Sequence, residues 1–187
     1  MLIFKNASGY HIFIHIPKNG GKYIRKKLRT DKKNKMLKSY WGQGSNLDLA
    51  HIPYVLKSTF IDKNIDYNYF TYTRNPYDRF ISAFFYKNSK KEINDLKNFI
   101  KNELMLCDFN MEFNMRIIHY YPQYLFVCDE NLIVPKKIQI LKLELVENPK
   151  KYDLHTYLDN ECIAIINKVY SEDFKLFDYE PIVGLSV

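Results

Sequence analysis

Cysteine, glycine and arginine are all scarce in this chain of 187 residues, and each shortage excludes something. Three cysteines, Cys107, Cys128 and Cys162, lie far apart, and an odd number cannot all pair internally. No C-x-x-C occurs and none of the 5 histidines forms H-E-x-x-H, so the common zinc spacings are missing and no metal is expected. A reducing, cytosol-like compartment is the corresponding expectation. Only 6 glycines and 7 prolines are present, which excludes collagen-like and linker-type chains. No apolar run exceeds five residues, too short for a bilayer-spanning helix. Met1 to Ser8 is a short mixed stretch rather than a basic region followed by a long apolar one. The expectation is a soluble, cytoplasmic protein with no signal peptide, transmembrane segment or membrane partner.

What the chain has in quantity is apolar and aromatic matter. Hydrophobic residues make up 47% and aromatics 16%, with 16 Tyr and 13 Phe, far more than a disordered tail contains. The length suits one domain, residues 1–187. The net charge is +7, but the basic residues are 23 Lys against 5 Arg, alongside 17 Asn. That bias resembles AT-rich coding more than selection for nucleic-acid contacts. It weakens the step from charge to nucleic acid and makes Arg74 and Arg79 the more informative. No signal for oligomeric state is present.

Strand and helix signals alternate. His11 to Ile16 reads as a buried strand ending at Pro17, and Gly21 to Arg29 as a helix with Tyr23, Ile24 and Leu28 at helical spacing. Thr30 to Asn46 is polar and lysine-rich, a long exposed loop. Tyr67 to Thr73 alternates like a strand, and Pro76 opens a helix with Tyr77, Ile81, Phe84 and Phe85 on one face. Helices are predicted over Glu92–Leu106, Met111–Tyr121 and Asn160–Tyr170, and strands over Tyr124–Cys128 and Lys137–Leu143. This order implies an α/β architecture with a mainly parallel sheet flanked by helices.

Two motifs carry chemistry. The first is a strand, then Pro17-Lys18-Asn19-Gly20-Gly21-Lys22, then a helix. A sharp glycine turn into a helix aims several backbone N–H groups and the positive end of the helix dipole at one spot, and lysine adds full charge. That is a phosphate cradle; the plain alternative is a glycine-bearing turn with two solvated lysines. A Walker A loop fails twice, because Ile16 stands where its first glycine belongs and Tyr23 where its Ser/Thr belongs. The second motif runs from Arg74 to Tyr86, with Asn75 as helix N-cap. Arg74 sits at a strand's carboxyl end, where open α/β sheets bind ligands. Arg79, Ser82 and Tyr86 share a helix side opposite the Tyr77–Ile81–Phe85 stripe. Arginine plus a serine hydroxyl is a good pair for a phosphate; the plain alternative has Arg79 on a surface carboxylate and Ser82 facing water.

Together the two motifs resemble the sulfotransferases that use 3′-phosphoadenosine 5′-phosphosulfate (PAPS), the carbohydrate, family 2-like branch in particular. That family carries P-K-T-G-G-T-[ST] after its first strand, for the donor's 5′-phosphosulfate, and R-N-P-x-x-R-x-x-S-x-[YF], for its 3′-phosphate. Pro17–Tyr23 and Arg74–Phe84 occur here in the same order. Ala50-His51-Ile52-Pro53-Tyr54 resembles the H-x-P segment of the catalytic base. Pro122-Gln123, Leu143-Glu144 and Ser171–Tyr179 resemble the family's P-Q, R-x-E and closing D-F-x-x-F-x-Y stretches. The resemblance implies a P-loop-like sulfotransferase fold and donor contacts from Lys18, Asn19, Gly20, Gly21, Lys22, Tyr23, Arg74 and Ser82. It implies PAPS as donor, PAP (adenosine 3′,5′-bisphosphate) as product and no metal. Golgi members of the family carry an N-terminal anchor; its absence here fits a bacterial, viral or excised-domain origin.

The departures lie in the first motif. Asn19, Lys22 and Tyr23 replace hydroxyl residues, leaving Asn19 to donate through its amide, Lys22 to substitute charge, and Tyr23 to turn toward the core. Lys142 stands where R-x-E has arginine. The resemblance implies that Lys18 stabilises the leaving phosphate oxygen and His51 takes the acceptor's proton, with His15 as understudy. Glu144 either orients a side chain or is a plain strand-end carboxylate. The acceptor implied is a glycan or another hydroxyl-bearing molecule. A catalytically impaired PAPS/PAP-binding protein of the same fold, and a basic nucleic-acid-binding module, are the alternatives.

Overall fold

The computed structural model describes residues 1–44 and 47–184. A five-stranded sheet in the order β3-β1-β2-β4-β5 forms its centre. The strands are β1 (Leu2–Asn6), β2 (Gly9–Ile14), β3 (Lys35–Ser39), β4 (Tyr67–Thr73) and β5 (Ile138–Lys142). β2, β4 and β5 run parallel, with Ile14 opposite Thr71 and Thr73 opposite Lys142, while β1 is antiparallel to both β2 and β3. The expected α/β sheet is present, but its β1–β3 side is antiparallel. That side was hidden in two segments read otherwise. Met1–Ser8 contains β1, whose Leu2, Ile3 and Phe4 are buried. The expected loop Thr30–Asn46 contains β3, an edge strand whose lysines face solvent and guard the open edge. Ser45 and Asn46 of that loop lie outside the described residues.

The helices are α1 (Gly21–Thr30), α2 (Pro76–Lys87), α3 (Ile93–Asn102), the short α4 (Leu143–Val146) and α5 (Leu154–Tyr157), then α6 (Asn160–Val169) and α7 (Ser171–Leu176). α1 covers one sheet face, packing Ile24 and Leu28 on Leu2, Phe13 and Phe70. Ile3, Ile12, Ile14 and Tyr69 face the other way, into a core with Tyr121, Leu125 and Phe126. Strand residues alternate between these two cores because successive side chains point to opposite faces. α2, α3, α6 and α7 share a third core around Phe80, Phe84, Ile100, Ile163 and Phe174. No helix among the described residues is long and apolar enough to cross a membrane.

Two predicted elements are absent. Met111–Tyr121 is a series of turns, not a helix. Asn110 and Asn114 accept from the backbone N–H groups of Glu112 and Arg116 at 3.0 and 2.9 Å, the local bonds with which asparagine competes against helix. Phe113 there has φ 55°, outside the helical region. Tyr124–Cys128 forms no strand; Gln123–Phe126 is a short 3-10 turn buried on several sides. A continuous apolar run carries no period that separates strand from other buried backbone. Asp173 holds the turn, accepting from Gln123 N at 2.7 Å and Tyr124 N at 2.8 Å. Burial raises its carboxyl pKa to about 6.

Candidate active site

β2 ends at Ile14, His15 and Ile16 follow it, and Pro17 to Gly20 then turn the chain into α1. Lys18 and Gly20 both have positive φ, 68° and 70°. Lysine rarely adopts that conformation, and its occurrence at a loop tip marks a place where the surroundings over-determine the backbone. Gly21 has a different reason to be glycine: a Cβ there would lie 1.6 Å from Nε2 of His15. The first turn of α1 therefore rests directly on the His15 ring, and its N–H groups open onto a cleft of about 470 Å³.

Lys18, Gly20, Gly21, Lys22 and Tyr23 border this cleft from the loop side. Lys18 is partly buried, and its ammonium lies 4.0 Å from the ring centre of Tyr86. Burial, with Arg74 and Lys22 nearby, lowers its pKa to about 8. Tyr23 does not turn into the core; it is 50% exposed on the cleft rim, where Trp41 and Tyr86 are exposed too. Asn19 is buried and does not face the cleft. Its amide donates to Tyr72 O at 2.6 Å and to Gln123 Oε1 at 2.7 Å, so both its protons hold the loop to β4 and to the Gln123 turn.

His15, His51 and His119 also border the cleft. His51 ends a 3-10 turn, Leu49–His51, that Asp48 caps by accepting from Ala50 N at 2.9 Å. Nδ1 of His51 lies 2.8 Å from the carbonyl oxygen of His15. A carbonyl can only accept, so Nδ1 carries the proton and Nε2 presents its lone pair, 4.0 Å from Asp48 Oδ2. His15 lies 4.3 Å from His51 between ring centres, and His119 lies 5.4 Å from His51 on its other side. Burial is the first cause in each case, and it lowers the pKa of His51 and of His119 to about 3 and that of His15 well below its ordinary value. His15 stacks on Trp41, whose ring also meets the Arg25 guanidinium at 4.9 Å. Among the described residues, no three His, Cys, Asp or Glu side chains are placed to hold a metal ion.

Of the second motif, Tyr86 borders this cleft, whereas Arg74, Arg79 and Ser82 do not. Asn75 caps α2, accepting from Tyr77 N at 3.0 Å. Arg74 follows β4 directly, but its guanidinium is turned to backbone, donating to the carbonyls of Lys18 (3.2 Å) and Lys150, while its buried Nε has no partner among the described residues. Ser82 is half-buried on α2 and does not border the cleft. Arg79 is not on a polar helix side: it is fully buried and donates to the carbonyls of Pro17 (3.1 Å), His119 (3.3 Å) and Tyr121 (2.7 Å). These three bonds, made by Nε and Nη2, lock the Lys18 loop to the His119–Tyr121 segment, while the buried Nη1 has no partner among the described residues.

The remaining stretches are supports. Gln123 accepts from Arg74 N at 2.9 Å and donates to Arg74 O at 2.8 Å, joining the two motifs through Asn19. Glu144 accepts from Asn75 N at 2.8 Å and from the Tyr179 hydroxyl at 3.0 Å, so it orients the start of α2. His119 and Tyr86 were missed as cleft residues from sequence. The available signal was position: His119 lies just ahead of Pro122-Gln123, and Tyr86 one helical turn beyond Ser82.

A family model described as "Sulfotransferase family" matches residues 8–144, which span both motifs, the His51 segment and Glu144. The chain belongs to the sulfotransferase family. The Ser171–Tyr179 stretch lies outside that match. No curated protein and no solved structure matches the chain.

Proposed function

We propose that the protein transfers a sulfuryl group from PAPS to an acceptor hydroxyl, that of a carbohydrate. The observation that carries the reading is the meeting of Lys18 and the Nε2 lone pair of His51 in one cleft, over the first turn of α1. The residues suit the 5′ end of such a donor: two lysines, the N–H groups of a helix N-terminus, and a glycine whose Cβ would leave no room. At the 3′ end, the buried Nε of Arg74 has no partner, and the carbonyls of Lys18 and Lys150 would have to yield its fork to a phosphate.

Sulfuryl transfer breaks the bond between sulfur and the donor's phosphate oxygen and forms one from sulfur to the acceptor oxygen. Lys18 offsets the negative charge that grows on the leaving phosphate oxygen. His51 takes the acceptor's proton on Nε2, with Nδ1 anchored on the His15 carbonyl so that the ring holds its direction. Its low pKa keeps the lone pair free at neutral pH, and negative charge entering the cleft raises the basicity of an imidazole beside it.

The test is binding followed by turnover. PAP at a hundred times its Kd adds about 2.7 kcal/mol to stability and raises the melting temperature. Labelled sulfate then passes from PAPS to members of a panel of glycans and phenols. A melting curve indifferent to millimolar PAP contradicts the donor assignment. Binding without transfer to anything on the panel favours a nucleotide-binding protein without turnover.

A further inference from the structure

We propose that His119 is a catalytic hydrogen-bond donor to the oxygens of the sulfuryl group in flight, a role that rests on the sulfuryl-transfer reading. The rings border the cleft in a fixed order. His51 lies 5.4 Å from His119, His119 lies 5.0 Å from Tyr86, and the Lys18 ammonium sits 4.0 Å from the Tyr86 ring. An in-line transfer needs the base at the acceptor end and the cation at the leaving end. Between them pass the sulfur and its three equatorial oxygens. His119 occupies that intermediate stretch of the wall.

Its tautomer suits donation. Nδ1 of His119 is sealed in protein with no partner among the described residues, while the ring borders the cleft. A buried N–H without an acceptor is rarer and costlier than a buried lone pair, so the proton belongs on Nε2, at the cleft. His51 has the opposite arrangement, with Nδ1–H bound to the His15 carbonyl and Nε2 bare. The two imidazoles thus offer one acceptor and one donor to the same space. Burial keeps both neutral, so His119 is a polar donor rather than a cation. Its backbone is fixed from behind, because the fully buried Arg79 donates to the carbonyls of His119 and Tyr121.

In the step, the sulfur–oxygen bond to the donor phosphate breaks, the bond to the acceptor oxygen forms, and the acceptor's proton passes to His51. His119 keeps its own proton and, through a hydrogen bond to a sulfuryl oxygen, holds the group in line between donor and acceptor. Removing one such preorganised donor costs about 10²–10³ in kcat.

The experiment measures transfer of labelled sulfate from PAPS to methyl pyranosides, an acidic glycan and simple phenols, by the wild type, His119→Ala and His119→Gln. PAP affinity and melting temperature are measured alongside. The expected result for His119→Ala is a kcat lower by about 10²–10³ with acceptor KM and PAP affinity within about threefold of wild type. His119→Gln, whose amide N–H can donate, recovers at least part of the loss. A wild-type kcat in His119→Ala, a loss confined to PAP affinity, or a glutamine variant as slow as alanine overturns the proposal. A wild type that transfers to nothing overturns the sulfuryl-transfer reading and this role with it, whereas an active wild type with an unaffected alanine variant removes this role alone. A second readout needs no variant: ring ¹⁵N–¹H correlation spectra of the unliganded protein should show His119 as the Nε2–H tautomer. The Nδ1–H tautomer, or a charged ring at pH 7, contradicts it.

Discussion

Nδ1 of His51 hydrogen-bonds the backbone oxygen of His15 at 2.8 Å, so the residue placed to accept a proton is oriented by the main chain that leads into the Lys18 loop. The segment that leaves β2 and carries Lys18 therefore also holds the His51 ring. On the proposed reading binding and chemistry are separable, because Lys18 would meet charge both in the bound donor and in the transition state, whereas His51 would meet only the acceptor.

His51→Ala should bind PAP nearly as the wild type does and lose about 10²–10⁴ in transfer rate. Isothermal titration with PAP and a single-turnover assay read the two quantities independently. A variant that transfers at the wild-type rate moves the base elsewhere, to His15 in the first instance.

The neutral imidazoles set a pH dependence of stability. His15, His51 and His119 all have folded values below the ordinary 6.5. Below that value the unfolded chain takes up protons the native state refuses, so stability present at pH 7 is lost as pH falls from about 6.5 toward about 3. Asp173 works in the opposite direction, since its raised value of about 6 lets the native state bind a proton first. His11, also lowered by burial, acts with the three imidazoles, and Asp48 and Asp78, whose carboxyls burial raises, act with Asp173. Urea midpoints at pH 7.5, 6 and 5 should fall steeply across the series. A flat series contradicts the neutral cluster.

Gly21→Ala tests the contact between α1 and the imidazole wall. The new Cβ would overlap the His15 ring, so either the ring leaves its stack on Trp41 or α1 shifts. Overpacking of this kind costs about 1–3 kcal/mol, and PAP affinity should fall with it because the helix N-terminus moves. Wild-type melting and wild-type PAP affinity together would show that the helix does not rest on His15.

The parts of the fold legible from sequence are those with a strong period or a capping signal. β4, α1 and α6 stand within a residue or so of their predicted bounds and α2 starts at the predicted Pro76, since Asn75 and Pro76 announce α2 and alternation announces β4. β1 and β3 were missed because neither alternates: one is a short apolar start, the other an edge of lysines. The site was half legible. The Lys18 loop and His51 share the cleft, but nothing local tells that Asn19 spends its amide on Gln123, or that Arg79 is fully buried on three carbonyls. Those are long-range bonds, spanning 104 and 62 residues for Asn19–Gln123 and Arg79–Pro17. His119 was illegible because it lies among turns, where sequence spacing gives side chains no common face.

The most direct test of the central claim is the rate of labelled sulfate transfer from PAPS by the wild type and by Lys18→Ala, with PAP affinity measured in both. On the proposed reading Lys18 meets a phosphate in the ground state and the leaving oxygen in the transition state. The account predicts that the wild type transfers and that Lys18→Ala loses affinity for PAP and, at saturating donor, a further factor of about 10² or more in rate. A Lys18→Ala variant that, once saturated, transfers as fast as the wild type would contradict it.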